Sequence, residues 1–171
     1  MNPDGSFGAV EPIARVRIRG VGRLGGPLLS LPANGTTVAA WDLGQSPSGD
    51  NDDVLARSKI QAAVKGPSGR FGPVQTLSRS PLPVSAYPVI GTVGTTTIVM
   101  WRNSAREDRY PHFPVRVGYS ILNGGTRFPE PRYLPASGLT TISLVTAGKH
   151  AVAAWYAFNG SARLRLAIYT G

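Results

Sequence analysis

Cysteine is absent from the 171 residues. That excludes disulfides, a thiolate nucleophile and Cys-ligated zinc, and it leaves the redox compartment open. Histidine occurs only at His112 and His150, too few for a His-rich metal site, and neither has an evident Ser partner for a nucleophilic triad. No apolar run approaches the ~20 residues of a helical membrane span, so no membrane partner is expected. Lysine appears three times against 15 arginines, and nine carboxylates leave a formal net charge of +9. Stretches free of Gly and Pro are scarce, because 21 Gly and 15 Pro punctuate the chain, which argues against long helices. One such stretch, Asp52–Lys65, would accommodate a helix with Asp52 or Asp53 as N-cap and Leu55, Ile60 and Val64 on overlapping faces. The opening Met1-Asn-Pro-Asp-Gly5 reads as a turn, not as the basic and then apolar start of a secretory leader. The expected compartment is cytoplasmic, or extracellular if a leader was lost by truncation.

What the chain does have is an internal repeat. A turn and a run of small residues end in Trp three times: Gly35-Thr-Thr-Val-Ala-Ala-Trp41, Gly94-Thr-Thr-Thr-Ile-Val-Met-Trp101 and Gly148-Lys-His-Ala-Val-Ala-Ala-Trp155. A Gly and a Phe precede a short strand three times, at Gly5-Ser-Phe7, Gly69-Arg-Phe71 and Gly125-Thr-Arg-Phe128. The Trp residues are 60 and 54 positions apart and the Phe residues 64 and 57. The spacing predicts one β module over residues 1–171, with units near 14–78, 79–135 and 136–171 and a strand at 7–13.

Each unit reads as four short strands. The first has Leu28–Leu31, Thr36–Trp41, Lys59–Lys65 and Val74–Leu77. The second has Tyr87–Ile90, Thr95–Trp101, Val115–Ile121 and Pro131–Leu134. The third has Thr141–Val145, His150–Trp155 and Ala162–Tyr169. Repeat alignment therefore sets strand against the helical option at Asp52–Lys65, and tertiary context overrides propensity in a short window. Period-2 alternation is clear at Val115, Val117, Tyr119 and Ile121 and at Leu164, Leu166 and Ile168. The fold class expected is all-β: three four-stranded antiparallel repeats, propeller-like, with blades of the usual ~40–50 residues. Three blades are too few for a ring. The expectation is half a ring completed by a homodimer, or a fragment of a longer propeller, with Phe7–Ile13 closing the last blade.

The order of small-residue strand, Trp, polar loop, alternating strand, Gly turn and Phe-Gly-Pro resembles the BNR (Asp-box) repeats of sialidase-like propellers. Ser120, Asn123, Gly125 and Phe128 come closest to the Asp-box turn, with Asn for Asp and one extra residue. Gly66-Pro-Ser-Gly69-Arg-Phe71 lacks the Asp, and Asp4-Gly5-Ser-Phe7 has shorter spacing. The resemblance implies that the loops after strands two and four share one face: Asp42–Ser58, Arg102–Pro114 and Tyr156–Ser161, with Ala14–Pro27, Arg79–Ala86 and Pro135–Thr140. Asp42, Asp52, Asp53, Arg102, Glu107, Tyr110, His112 and Tyr156 are the candidate ligand contacts there.

The bland readings sit beside these. Glycoside hydrolysis needs two carboxylates, or a Tyr with a carboxylate partner, across the bond; six of the nine carboxylates lie in two post-Trp loops, but no convincing pair stands out. Asp50-Asn-Asp52-Asp53 has hard oxygens for calcium but lacks the regular ligand spacing. No cofactor or metal is expected. Arg15, Arg17, Arg19 and Arg23 form a basic cluster, the sign of a polyanion partner, against scattered arginines elsewhere; nucleic acid is not the expected partner. Gly20-x-Gly22-x-x-Gly25 fits dinucleotide spacing, but Pro27 and a strand follow where a helix is required. His150 reads as a partly buried, satisfied imidazole. Trp41, Trp101 and Trp155 read as core between units, and Phe7, Phe71 and Phe128 as turn anchors. The expected function is a non-catalytic binding or scaffold module with a glycan or protein ligand; a sialidase-like glycosidase fragment is the runner-up and polyanion binding ranks third.

Overall fold

The computed structural model describes residues 11–15, 21–46, 57–67, 69–105, 114–137, 141–158 and 161–171. Every regular element among them is a strand, and all pairing is antiparallel. The first sheet holds β1 (Val21–Leu24), β2 (Leu28–Ser30), β3 (Thr37–Ser46), β4 (Arg57–Lys65) and β5 (Gln75–Thr76). The second is β6 (Val84–Val93), β7 (Thr96–Ser104), β8 (Pro114–Asn123) and β9 (Arg132–Ser137), in chain order. The third is β10 (Ile142–Ala147), β11 (His150–Phe158) and β12 (Ala162–Thr170), with β12 at its edge. The segment that tempted a helical reading is strand over Arg57–Lys65: Ser58, Ile60, Ala62 and Val64 are buried on one face, while Arg57 and Lys59 are exposed on the other.

The Gly of each Trp motif sits in the turn before its strand, with φ of +74° at Gly35, +57° at Gly94 and +56° at Gly148. Two of these are two-residue hairpin turns, closed by Val93 opposite Thr96 and by Ala147 opposite His150. Positive φ is what such turns require, and glycine reaches it without a Cβ penalty.

Two boundaries differ from expectation. The Trp strands continue past Trp by three to five residues, to Ser46, Ser104 and Phe158. They do so because the ladder continues: Leu43–Ser46 pair with β1, a strand not foreseen, and Arg102–Ser104 pair with β6 and β8. The β1/β2 edge is interrupted, with one residue more than β3 between Leu24–Leu43 and Leu28–Ala40. The same single-residue excess recurs in β6 between Ala86–Arg102 and Val89–Met100, where Tyr87 takes a φ of +55°. A bulge at one place in two units is a shared design feature.

The sheets stack face on face. Val38, Ala40, Ile60, Ala62 and Val64 of the first pack against Val99, Trp101 and Leu122 of the second. The opposite face of the second, with Ile98, Met100 and Val117, packs against Ala151, Ala153 and Trp155 of the third. Trp101 and Trp155 thus point back toward the preceding sheet, and Trp41 lies on the corresponding outer face of the first. β6 lies against the first sheet on one side and β10 on the other: Ser30 and Thr92 hydroxyls are hydrogen-bonded, and Ala33 N–H donates to the Gly94 carbonyl at 3.0 Å. A Cβ on Gly91 would stand 2.8 Å from Thr146 Cγ2, so glycine permits that approach.

The closing strand is a correction. Residues 7–10 lie outside the described residues, but Glu11–Ile13 form no strand and do not reach β12. Glu11 instead binds Lys65 Nζ at 2.7 Å and accepts the Phe71 N–H at 3.1 Å, and Ile13 and Ala14 lie on the outer face of the first sheet. An ion pair and a backbone hydrogen bond hold the segment at the opposite end of the stack.

Candidate functional site

Asp42, Arg102 and Tyr156 each follow a Trp, and all three lie in strands rather than loops. Asp42 and Arg102 are buried, at 3% and 5% exposure, whereas Tyr156 is 57% exposed. By strand alternation Asp42 faces the second sheet, Arg102 the third and Tyr156 the outer face of the third, so the three do not converge on one ligand. Asp42 occupies space that Gly25 leaves open, since a Cβ there would fall 1.5 Å from Oδ1, and Gly25 N–H donates to the Asp42 carbonyl at 2.9 Å. The glycine-rich segment thus serves the bulge of the first sheet. Asp52, Asp53, Glu107, Tyr110 and His112 lie outside the described residues, as do Phe7, Arg17, Arg19 and the Asp50–Asp53 calcium reading. Arg15 is exposed and Arg23 is in β1.

The described carboxylates sit in three separate places: Glu11 with Lys65, Glu130 with Arg79, and Asp42 beside Gly25. Lys65 foremost, then the Phe71 N–H, holds the Glu11 carboxyl below the ordinary carboxylate range. Among the described residues no three His, Cys, Asp or Glu side chains gather as a metal site. His150 is exposed rather than partly buried, because it begins a strand whose outer face is covered by no layer among the described residues.

Sequence reasoning missed a polar layer between the first and second sheets. Asn103, fully buried, donates from Nδ2 to Val84 O (3.0 Å), Leu82 O (3.3 Å) and Ser85 Oγ (3.0 Å), and its Oδ1 accepts from Ser80 Oγ at 2.7 Å. Ser58 Oγ donates to Ser85 O and accepts the Ser85 N–H, both at 2.9 Å. Every donor and acceptor of the Asn103 amide is engaged, so it fixes the ends of the strands instead of awaiting a ligand. Its only signal was the polar run Arg102-Asn103-Ser104 directly after Trp101.

Trp41, Trp101 and Trp155 are buried, as is Phe128, and Phe71 is half-buried. The sheets leave clefts between them. One of about 790 Å³ opens between the second and third sheets and is lined by Met100, Ile121, Leu134, Leu144 and Tyr169. Another of about 660 Å³ lies between the first and second, beside Arg70, Arg79 and Arg127, and Gln75 spans it by accepting the Phe128 N–H at 2.9 Å and donating to Thr126 O at 2.8 Å.

The least expected surface is the outer face of the third sheet. Leu164, Leu166 and Ile168 are 60%, 62% and 70% exposed, and Val145 and Val152 flank them across the register. No protein-family model matches the chain, and no curated protein matches it.

Proposed function

We propose that the chain is a non-catalytic binding or scaffold module, its sheets arranged like successive blades of a propeller, which acts by packing the outer face of its third sheet on another β-sheet. One observation carries this reading. Position for position along the Trp strand and its neighbour, Leu164, Leu166 and Ile168 are the counterparts of Ile60, Ala62 and Val64 in the first sheet, which are 0%, 0% and 2% exposed. In the second sheet the counterparts are Val117, Tyr119 and Ile121, packed against the third. The same side of the same strand is core twice and open once. The open patch amounts to on the order of 600 Å² of side chain, the upper end of the largest apolar patch on a typical monomer, which is itself often functional.

The test is Leu166→Glu. A surface change away from the core should alter stability by no more than ~0.5 kcal/mol, while binding of a hydrophobic dye falls sharply. Unfolding of that variant, or dye binding equal to the parent's, would show that the face is not a docking surface.

A second reading places a glycan or protein ligand on the segments that join the strands after each Trp, as the repeat pattern suggested. The saturated polar layer at Asn103 supports it, because it gives those strand ends rigid roots. Binding on a glycan array without turnover of fluorogenic glycosides is the expected result. Turnover abolished by Glu107→Gln would instead make the chain a glycosidase.

A further inference from the structure

We infer that the layer missing from the third sheet is the first sheet of a second copy of this chain, and that residues 11–15 are the latch covering the surface that receives it. The inference rests on the docking reading above and names its partner.

The complement is set by the one interface of the same kind within the chain. Where the second sheet meets the third, large side chains (Met100, Tyr119 and Ile121) lie against alanines around a Trp: Ala151, Ala153 and Ala167 around Trp155. The open face of the third sheet again offers large aliphatic side chains, at 164, 166 and 168. It calls for alanines around a Trp. The outer face of the first sheet has that composition: Ala39 and Ala63, both fully buried, beside Trp41. Ala39 corresponds to Ala153 and Ala63 to Ala167 by their registers relative to Trp41 and Trp155. Large against small at matching positions is how facing layers interdigitate.

That outer face is occupied in this structure. Ile13 and Ala14 pack on it, and the Glu11 carboxylate secures them through Lys65 and the Phe71 N–H. The segment is thinly held: Pro12 and Arg15 are exposed, and the ion pair is itself partly solvated. It stands in for a preceding sheet, and an incoming third sheet from another copy would have to displace it. The contact is head-to-tail. Two copies make it twice if the stack turns far enough to close, giving six sheets. At on the order of 600 Å² per open face, two such contacts reach the size of a standard stable interface.

The experiment is sedimentation velocity over a wide concentration range on the full chain, on Leu166→Glu and on Glu11→Gln. The parent should pass from one to two chains with rising concentration. Glu11→Gln should do so at a concentration lower by up to about fivefold for each latch displaced, the reach of an exposed ion pair, and Ile13→Ser should shift it the same way by loosening the latch differently. Leu166→Glu should stay single in every background. A single-chain mass for the parent and both latch variants overturns the inference. If the dye still binds the parent and not Leu166→Glu, only the second copy falls; if it binds neither, the docking reading falls with it. Because the chain has no cysteine, Leu166→Cys gives a clean check on direction: oxidation to a disulfide-linked pair would mean third sheet on third sheet, which also overturns it.

Discussion

Gly118→Ala adds one methyl group where the second sheet has no room for it. Gly118 lies between Trp101 on β7 and Tyr133 on β9 in the register. The Trp101 indole crosses the strand over this glycine and meets Tyr133 edge-on, with ring centroids 6.5 Å apart and planes at 89°. A Cβ at 118 would stand 2.4 Å from both Cε2 and Nε1 and 2.8 Å from Cζ2. Ordinary carbon contacts are ~3.5–4.0 Å, so the ring must retreat by about an ångström. It has nowhere to go, being fully buried against the first sheet. Overpacking of this kind costs ~1–3 kcal/mol. Removing a strand glycine returns ~0.5–1 kcal/mol of backbone entropy. The net expectation is a loss of about 1–2 kcal/mol, read as a lower urea midpoint at unchanged slope and a fall in Tm of roughly 2–8 °C. Trp101→Phe removes the ring edge that clashes, so the two changes together should cost less than their sum. A neutral or stabilising Gly118→Ala would refute the placement of the indole over this glycine.

Asn103→Leu strips the amide from four partners and leaves the Val84 and Leu82 carbonyls buried without it; a loss of ~2–4 kcal/mol is expected in the same urea titration. Gln75→Ala removes a bridge to a backbone donor and a backbone acceptor on the second sheet, at about 1 kcal/mol, and hydrogen exchange at the Phe128 amide should accelerate. The Glu11 latch is present above the ordinary carboxylate range and is lost as pH falls through its lowered value. The Phe71 amide shift in NMR should therefore titrate in acid, below the usual Glu range, and should stop titrating in Glu11→Gln. Burial foremost raises the Tyr133 hydroxyl above the usual Tyr value, so its ultraviolet ionisation should fall above the ordinary tyrosine range and return toward it on unfolding. Ionisation within that range in the folded protein would count against its half-buried placement.

The turn and the strand that follow each Gly were legible because two signals coincide there: a residue free to adopt positive φ, then a run of small apolar side chains ending in Trp. The strand beyond Trp was not. Asp42 and Arg102 are charged, and a charged residue at the end of an apolar run looks like the start of a loop. Their burial depends on the neighbouring sheet and, for Asp42, on Gly25, which is 17 positions away. β1 hid for the same reason, since Gly22, Gly25, Gly26 and Pro27 spell a loop locally while the long β3 ladder recruits Val21–Leu24 as its edge. The Phe7–Ile13 reading failed over Glu11–Ile13 because only local apolar patterning was visible. The competing claim came from Lys65 and the Phe71 amide, more than 50 residues on.

The three Trp sites show what the repeat fixes and what it leaves free. Each indole is buried on the same face of its sheet, but the residue opposite it differs: Gln61, whose Oε1 accepts the Trp41 N–H at 3.3 Å, then Gly118, then Arg165. Stacking demands the Trp; the neighbouring strand adapts around it. In β12 that adaptation has an odd polarity. Arg163 and Arg165 share the Trp155 side, toward the second sheet, while Leu164, Leu166 and Ile168 face away from it. For a strand whose outer face met only water, alternation should run the other way, with charge outward. A slip of one residue would correct it, yet it would also reverse the whole strand relative to Trp155. The register is instead the one the first two sheets use, where this side of the strand is interior. The side chains of β12 thus follow the repeat and contradict the solvent they meet in a single chain, and a further layer on that face removes the contradiction.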